Sequence, residues 1–434
     1  MMDRNLQNKR IWVYFSLLFV IFLGGCGDRT TSLPVIDPED QIQLAVSTQL
    51  AQARLTQTAA ITGTPQEPTA APTATPIVLQ NPITATVWQQ DPMVAILLYH
   101  RYIPIDKTNS SRMKMQLSVF RTQLKQLHAA GFSLVSLEDW LNGKLELLPG
   151  KRPLIITFDD LFFADQIYIE EDGEPSLRSG LGVMWQFNQE YPDFGFKPAL
   201  FSNMGDKYYG NVIRGDWFYV EKGWQDSLAR AIAWCIEHDA LVYNHFYTHP
   251  SLPKLNATEI IWEMKKNDEE IVKILSRIGK EDLAERSANI ISLTFGEWPV
   301  SDKGKNAILA YVSPLGKPVL GIVEAEPFYV RENLVLAPYL DGYNPYHIPR
   351  IEGQQINIDE LIKDKDYLPV AGECELNNPF PENVGDSEYL RIYIAEAVAS
   401  NRCPAGVYAI SGYLFRVDQS SVEQIGLPDY PREY

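Results

Sequence analysis

Positive charge is in short supply in this chain. Lys and Arg number 38 against 55 Asp and Glu, giving a formal net charge of -17. No basic stripe stands out, and phosphate binding needs concentrated positive charge, so nucleic acid is excluded as a partner. An acidic surface also disfavours polyanions and accepts neutral or cationic sugars. Cysteine is scarce: there are four in 434 residues and no Cys-x-x-Cys, which removes a thiolate zinc knuckle. Internal repeats are absent. The apolar run at residues 11–23 is too short for a comfortable membrane span. Apolar residues make up 45% of the chain and charged ones 21%, the ordinary mix of a globular protein with a sizeable core.

The N-terminus sets the compartment. Arg4, Lys9 and Arg10 precede the apolar run, which ends in Leu23-Gly24-Gly25-Cys26. A positive segment before a short apolar one is an export signal. Its end resembles a bacterial lipobox. That implies removal of residues 1–25 and acylation of Cys26, anchoring the chain by lipid to the outer face of a bacterial membrane. The other reading is an uncleaved anchor helix with a chance Cys. Both put the rest of the chain outside the cytoplasm. Cys235 sits in a helix-like run and reads as a buried small hydrophobe. Cys374 and Cys403 remain as a disulfide pair in an oxidising compartment.

Residues 26–92 read as a tether, because the stretch 64–76 is rich in Pro, Thr and Ala and cannot bury a core. From residue 93 the pattern changes to short apolar strands alternating with helices. Strands are expected at 94–99, 133–137, 154–158, 199–202, 241–244 and 290–295. Helices are expected at 118–130, 182–190 and 227–239, and after a capping box at Asn256 to Glu259. A helix near 388–400 and a strand-like 407–417 lie in a C-terminal extension, 352–434. This alternation implies an α/β fold, a distorted (β/α) barrel over 93–351, with its chemistry at the C-terminal ends of the strands.

Two motifs sit at such ends. Thr157-Phe158-Asp159-Asp160 closes an apolar run. Adjacent carboxylates leaving a buried strand are costly unless used, although a solvated Asp-Asp turn is an equal reading of that pair alone. His245-Phe246-Tyr247-Thr248-His249-Pro250 closes the next-but-one strand and holds two of the chain's six histidines. On a helical turn these two imidazoles share a face. Two imidazoles and one carboxylate form a common catalytic zinc set with positions left open. A stretch rich in Tyr and Trp at 208–224 is either core or a platform for stacking sugars. Paired carboxylates also serve glycoside hydrolases, but those stand roughly 5–9.5 Å apart across a sugar ring, which adjacent residues facing two histidines do not suit.

Together these motifs resemble the polysaccharide deacetylases of carbohydrate esterase family 4, the NodB-homology family. The resemblance spans about 93–351. It includes Tyr99-His100, Phe295-Gly296 followed by Trp298-Pro299, and the run from Pro345 through Arg350 to Ile351. It implies that Asp160, His245 and His249 hold a divalent metal, zinc before cobalt or manganese. It implies Asp159 as general base, His100 as general acid, and a backbone N–H near Phe295 for the oxyanion. The implied substrate is an acetylated glycan, N-acetylated before O-acetylated. Three neighbours depart from the family pattern: Leu161 stands where Gly is usual, Phe246 where Ser or Thr is, and Ser292 where an Arg orients the base. They motivate an alternative, a glycan-binding protein on a deacetylase fold with impaired chemistry.

Overall fold

The computed structural model describes residues 83–103, 113–205, 223–376, 386–418 and 421–426. All belong to the second of the chain's two compact units, Pro72–Tyr434. The first described element, β1 (Ile83–Trp88), pairs with strands from the far end of the chain.

The centre is a parallel sheet. β2 (Met93–Tyr99), β3 (Arg152–Leu161), β4 (Ala199–Ser202), β5 (Leu241–Asn244), β6 (Asn289–Ser292) and β7 (Val319–Val323) lie side by side in that order. Their apolar runs are buried on both faces, as a helix-covered parallel sheet requires. The sheet curls, bringing its two edges to either side of one closing segment. Residues 348–352, ending in β8 (Ile351–Glu352), bridge them: Val323 pairs with Ile348, and Ile351 pairs with Leu97.

Helices α1 (Leu117–Ala129), α2 (Gly180–Glu190), α3 (Trp224–Glu237), α4 (Ala257–Ser276) and α5 (Asp302–Leu309) connect the strands. The capping box is formed: Asn256 Oδ1 accepts from Glu259 N at 3.0 Å, and a Glu259 carboxylate oxygen accepts from Asn256 N at 2.9 Å. The buried stripe of α4 includes Ile260, Met264, Ile271 and Ile274, but also the polar Glu263 and Asn267. Glu263 supports the loop that carries His249.

Several elements differ from the sequence reading. The strand expected at 133–137 is Phe132–Leu134, because Ser136 accepts from Asp139 N and caps a short helix, Leu137–Leu141. The strand expected to reach 295 stops at Ser292, and Thr294–Gly296 is a 3-10 turn. The tether expected through 92 ends before β1. Ile-Thr-Ala-Thr-Val-Trp is β-branched enough to pair, and it sits between β9 (Gly372–Leu376) and β10 (Gly406–Ile410). The strand-like 407–417 is a hairpin of β10 and β11 (Tyr413–Val417), turning at Ser411 and Gly412, with β12 (Val422–Gly426) beyond it.

Helices α6 (Gln355–Lys363) and α7 (Ser387–Ala399) complete the C-terminal part. The small sheet shares its core with the barrel: Trp88, Val407, Ala409 and Leu414 pack in one cluster with Val94, Trp140, Ile155 and Ile290. The barrel strand residues named lie towards the starts of β2, β3 and β6, away from the strand end that carries Asp159. Cys374 and Cys403 are bonded, with Cα atoms 5.7 Å apart. Cys235 is buried and free. No helix among the described residues is long and apolar enough to cross a membrane. Cys26 lies outside the described residues.

Candidate active site

β3 delivers the carboxylates. Asp159 is buried, and Asp160 sits at an irregularity within β3 with φ 59°, a left-handed conformation that Asp tolerates better than most residues. The irregularity separates two side chains that sequence alone leaves adjacent. Asp160 Oδ1 accepts from Asn203 Nδ2 at 3.0 Å, just past β4.

β5 delivers the imidazoles through a loop rather than the expected helical turn. Phe246 and His249 both have positive φ, 59° and 51°. Three polar anchors hold that shape. Asn244 Oδ1 accepts from Phe246 N at 2.9 Å, while its Nδ2 donates to Met264 O and Asp268 Oδ1. Thr248 donates from its N and Oγ1 to the two carboxylate oxygens of Glu263, at 2.7 and 2.6 Å. Phe246 itself is buried among Leu252, Ile260, Met264 and Ile291. The aromatic at this position is therefore accommodated by turning into the apolar layer. Glu263 and Asn244 supply the polar support.

The two rings end 4.8 Å apart. His245 Nδ1 lies 2.9 Å from Ser292 O. A carbonyl only accepts, so Nδ1 carries the proton and Nε2 presents a lone pair. Burial lowers the pKa of His245 to about 4, despite Asp159 pulling the other way. The imidazole is thus neutral, as a metal ligand must be. Asp160 Oδ1 lies 3.7 Å from His245 Nε2 and 3.5 Å from His249 Nε2. These spacings are long for hydrogen bonds. They match the edge of about 3.4 Å of a tetrahedron with bonds of about 2.0–2.2 Å. One donor atom from each of Asp160, His245 and His249 lies within 4.8 Å of the others. The donor set and its spacing fit a divalent cation.

Asp159 stands beside them, its Oδ2 3.6 Å from His245 Nε2. Arg350, fully buried on the segment that closes the barrel, donates to its two oxygens at 2.6 and 2.8 Å. Ser292 Oγ donates to Oδ2 at 3.1 Å and accepts from Arg350 at 2.8 Å. Burial alone would raise the Asp159 pKa; the guanidinium outweighs it, His245 and His100 add to the effect, and the carboxyl is held well below its ordinary range. Three donors occupy three of about four lone-pair sites, leaving capacity for one proton.

Gln166 ties the two strand ends, donating to His100 O at 2.8 Å and Asp159 O at 2.7 Å. His100 follows β2, and its Nδ1 is buried without a hydrogen-bond partner among the described residues. Phe295 sits with its ring 4.5 Å from that of His249. Of the stretch 208–224, residues 208–222 lie outside the described residues. Leu161 is buried and continues β3.

The structure thus brings the predicted metal set and Asp159 together. Sequence reasoning missed Arg350, Gln166, Glu263 and Asn203. One signal pointed to Arg350: Ser292 left a buried carboxylate without its cation, and the run from Pro345 to Ile351 contains an Arg.

No family model matches the sequence, and no curated protein does. Solved structures do. A Streptococcus pyogenes deacetylase in complex with acetate is 15% identical, with 63% of this chain and 98% of that chain covered at a TM-score of 0.41. A Bacillus cereus polysaccharide deacetylase is 16% identical, covering 63% and 69% at 0.39. A de-N-acetylase from Aggregatibacter actinomycetemcomitans is 10% identical, covering 62% and 99% at 0.40. The chain is similar in structure to polysaccharide deacetylases.

Proposed function

We propose that this chain is a metal-dependent deacetylase of an acetylated polysaccharide, acting on N-acetyl before O-acetyl groups at the cell envelope. One observation carries the reading: Asp160, His245 and His249 face one another at metal-ligand spacing beside a buried, cation-locked Asp159. Structural likeness to deacetylases agrees with it.

Asp160, His245 and His249 would hold the ion. When bound, a divalent cation polarises a carbonyl and acidifies a water molecule. Asp159 takes the proton. Arg350 and Ser292 keep Asp159 ionised and oriented. His100, with an unsatisfied buried Nδ1, protonates the leaving amine. A backbone N–H near Phe295 serves the oxyanion. Zinc suits the donor set, with cobalt and manganese as substitutes. The N-terminal sequence supports export and a lipid anchor at Cys26.

The test is metal content together with acetate release, for wild type and Asp159→Asn. The reading expects about one ion per chain in both proteins and a loss of at least about 100-fold in release for the variant. Bound metal with no acetate release from any acetylated glycan would transfer support to the glycan-binding alternative. Shortened chains with acetyl groups intact would favour a glycoside hydrolase.

A further inference from the structure

Three polar side chains of α4 point towards the sheet, and each reaches a different part of the metal-ligand set. We propose that Asn267 and Asp268 are positioning residues which, with Glu263, make this one helix the template for all three ligands, braced from α5 by Tyr311. This rests on the reading of Asp160, His245 and His249 as metal ligands and adds what fixes their spacing.

Each ligand is held through the residue beside it or through its own partner. Glu263 accepts both hydrogen bonds of Thr248, the residue before His249. Asp268 Oδ1 accepts from Asn244 Nδ2 at 2.6 Å, and Asn244 precedes His245. Asn267 Oδ1 accepts from Met204 N at 2.8 Å. Met204 follows Asn203, whose side-chain amide donates to Asp160 Oδ1 at 3.0 Å. Ligands from two strands are thus referred to one run of α4, 263–268. A helix rises about 1.5 Å per residue, so the three supports lie within about 8 Å along one stiff axis.

The bonds also have a forced direction. Asn244 Nδ2 donates to two acceptors on α4, Asp268 Oδ1 and Met264 O, the latter at 2.8 Å. That turns Asn244 Oδ1 towards Phe246 N, which donates to it at 2.9 Å. Asp268 therefore helps to orient the amide that shapes the loop between His245 and His249. The other oxygen of Asp268 accepts from the Tyr311 hydroxyl at 2.7 Å. Tyr311 lies just past α5 and is buried. Asn244 and Asn267 are buried as well, so a lost partner leaves a polar group unsatisfied rather than hydrated.

The test compares wild type with Asp268→Leu, Asn267→Ala and Asp268→Asn. Chelator competition measures zinc affinity, and the visible absorption of the cobalt-loaded protein reports the geometry of the site. Asp268→Leu and Asn267→Ala should each weaken zinc binding about tenfold and shift the cobalt bands. Asp268→Asn keeps an acceptor for Asn244 and a donor for the Tyr311 hydroxyl. It should stay within about threefold of wild type and retain the cobalt spectrum. Backbone amide exchange in the zinc-free protein reads the supports themselves. Phe246 should exchange about tenfold faster in Asp268→Leu but not in Asn267→Ala, and Met204 the reverse. A general loss of stability would quicken both together. Unchanged zinc affinity in Asp268→Leu and Asn267→Ala, an equal loss in Asp268→Asn and Asp268→Leu, or amides that do not separate in this way would overturn the template. A wild type that binds no zinc but shows the separated exchange loses the metal reading and keeps α4 as what orients the three side chains.

Discussion

Arg350 grips both carboxylate oxygens of Asp159 across 191 positions of sequence, in a setting where neither side chain meets solvent appreciably. Removing one member of such a buried pair strands the other. Arg350→Met should therefore destabilise the fold by about 3–5 kcal/mol, and the double variant with Asp159→Asn should recover most of that. Urea denaturation of the single and double variants measures it. The pair also sets a pH dependence. The folded pKa of Asp159 is depressed, so its stabilisation is present above the ordinary value of 3.8 and is lost as pH falls through that value towards the lowered one. Wild type should lose melting temperature over that acid window, and Asp159→Asn should lose less.

Glu263 acts on the site through Thr248. It reaches up from α4 and holds the loop that carries His249. Glu263→Ala should weaken zinc binding by about 10–100-fold, as loss of a group supporting a ligand commonly does. Glu263→Gln keeps one acceptor and should fall between. Competition with a chelator of known affinity reads both. Unchanged zinc affinity in Glu263→Ala would remove the role.

How much of this was legible in sequence divides along local and non-local lines. The strands ending at Asp159 and His245 and the capping box at Asn256 are written in neighbouring residues, so pattern and spacing found them. Arg350 was not, because its partner is supplied by barrel closure and no local spacing encodes it. Phe246 looked like damage to the site; burial in the layer beneath the loop shows the same position doing structural work. β1 was lost to composition: its six residues adjoin a Pro- and Thr-rich stretch, and its partners lie roughly three hundred positions further on.

Asp268 gives a second pH effect of opposite sign. Burial raises its pKa to about 6, although Tyr311 and Asn244 donate to it. A raised folded pKa means stability is fully present below the ordinary 3.8 and is lost as pH rises through about 6. Asp268→Asn should flatten the stability profile between those two values. A melting series from pH 3.5 to 7 in half-unit steps shows it, and an unchanged slope would refute the assignment.

The Cys374–Cys403 bond spans a sequence separation of 29. Loop-closure entropy assigns such a link about 3–4 kcal/mol. It fastens β9, the strand beside β1, to the turn before β10. Cys403→Ser, or reduction of wild type, should lower the melting temperature by several degrees. Since the small sheet shares the barrel's core, far-UV and near-UV signals should be lost in one transition.

Asp160, Phe246, His249 and Phe295 all sit in the left-handed basin, with φ between 51° and 59°. Each such residue carries a cost of about 1–3 kcal/mol that glycine would avoid. The corner that holds the candidate metal ligands is thus also where its sequence and its backbone disagree most. A laboratory selection for heat resistance alone should drift towards glycine at these four positions, and the hardiest survivors should be those that can no longer hold a metal or turn over a substrate.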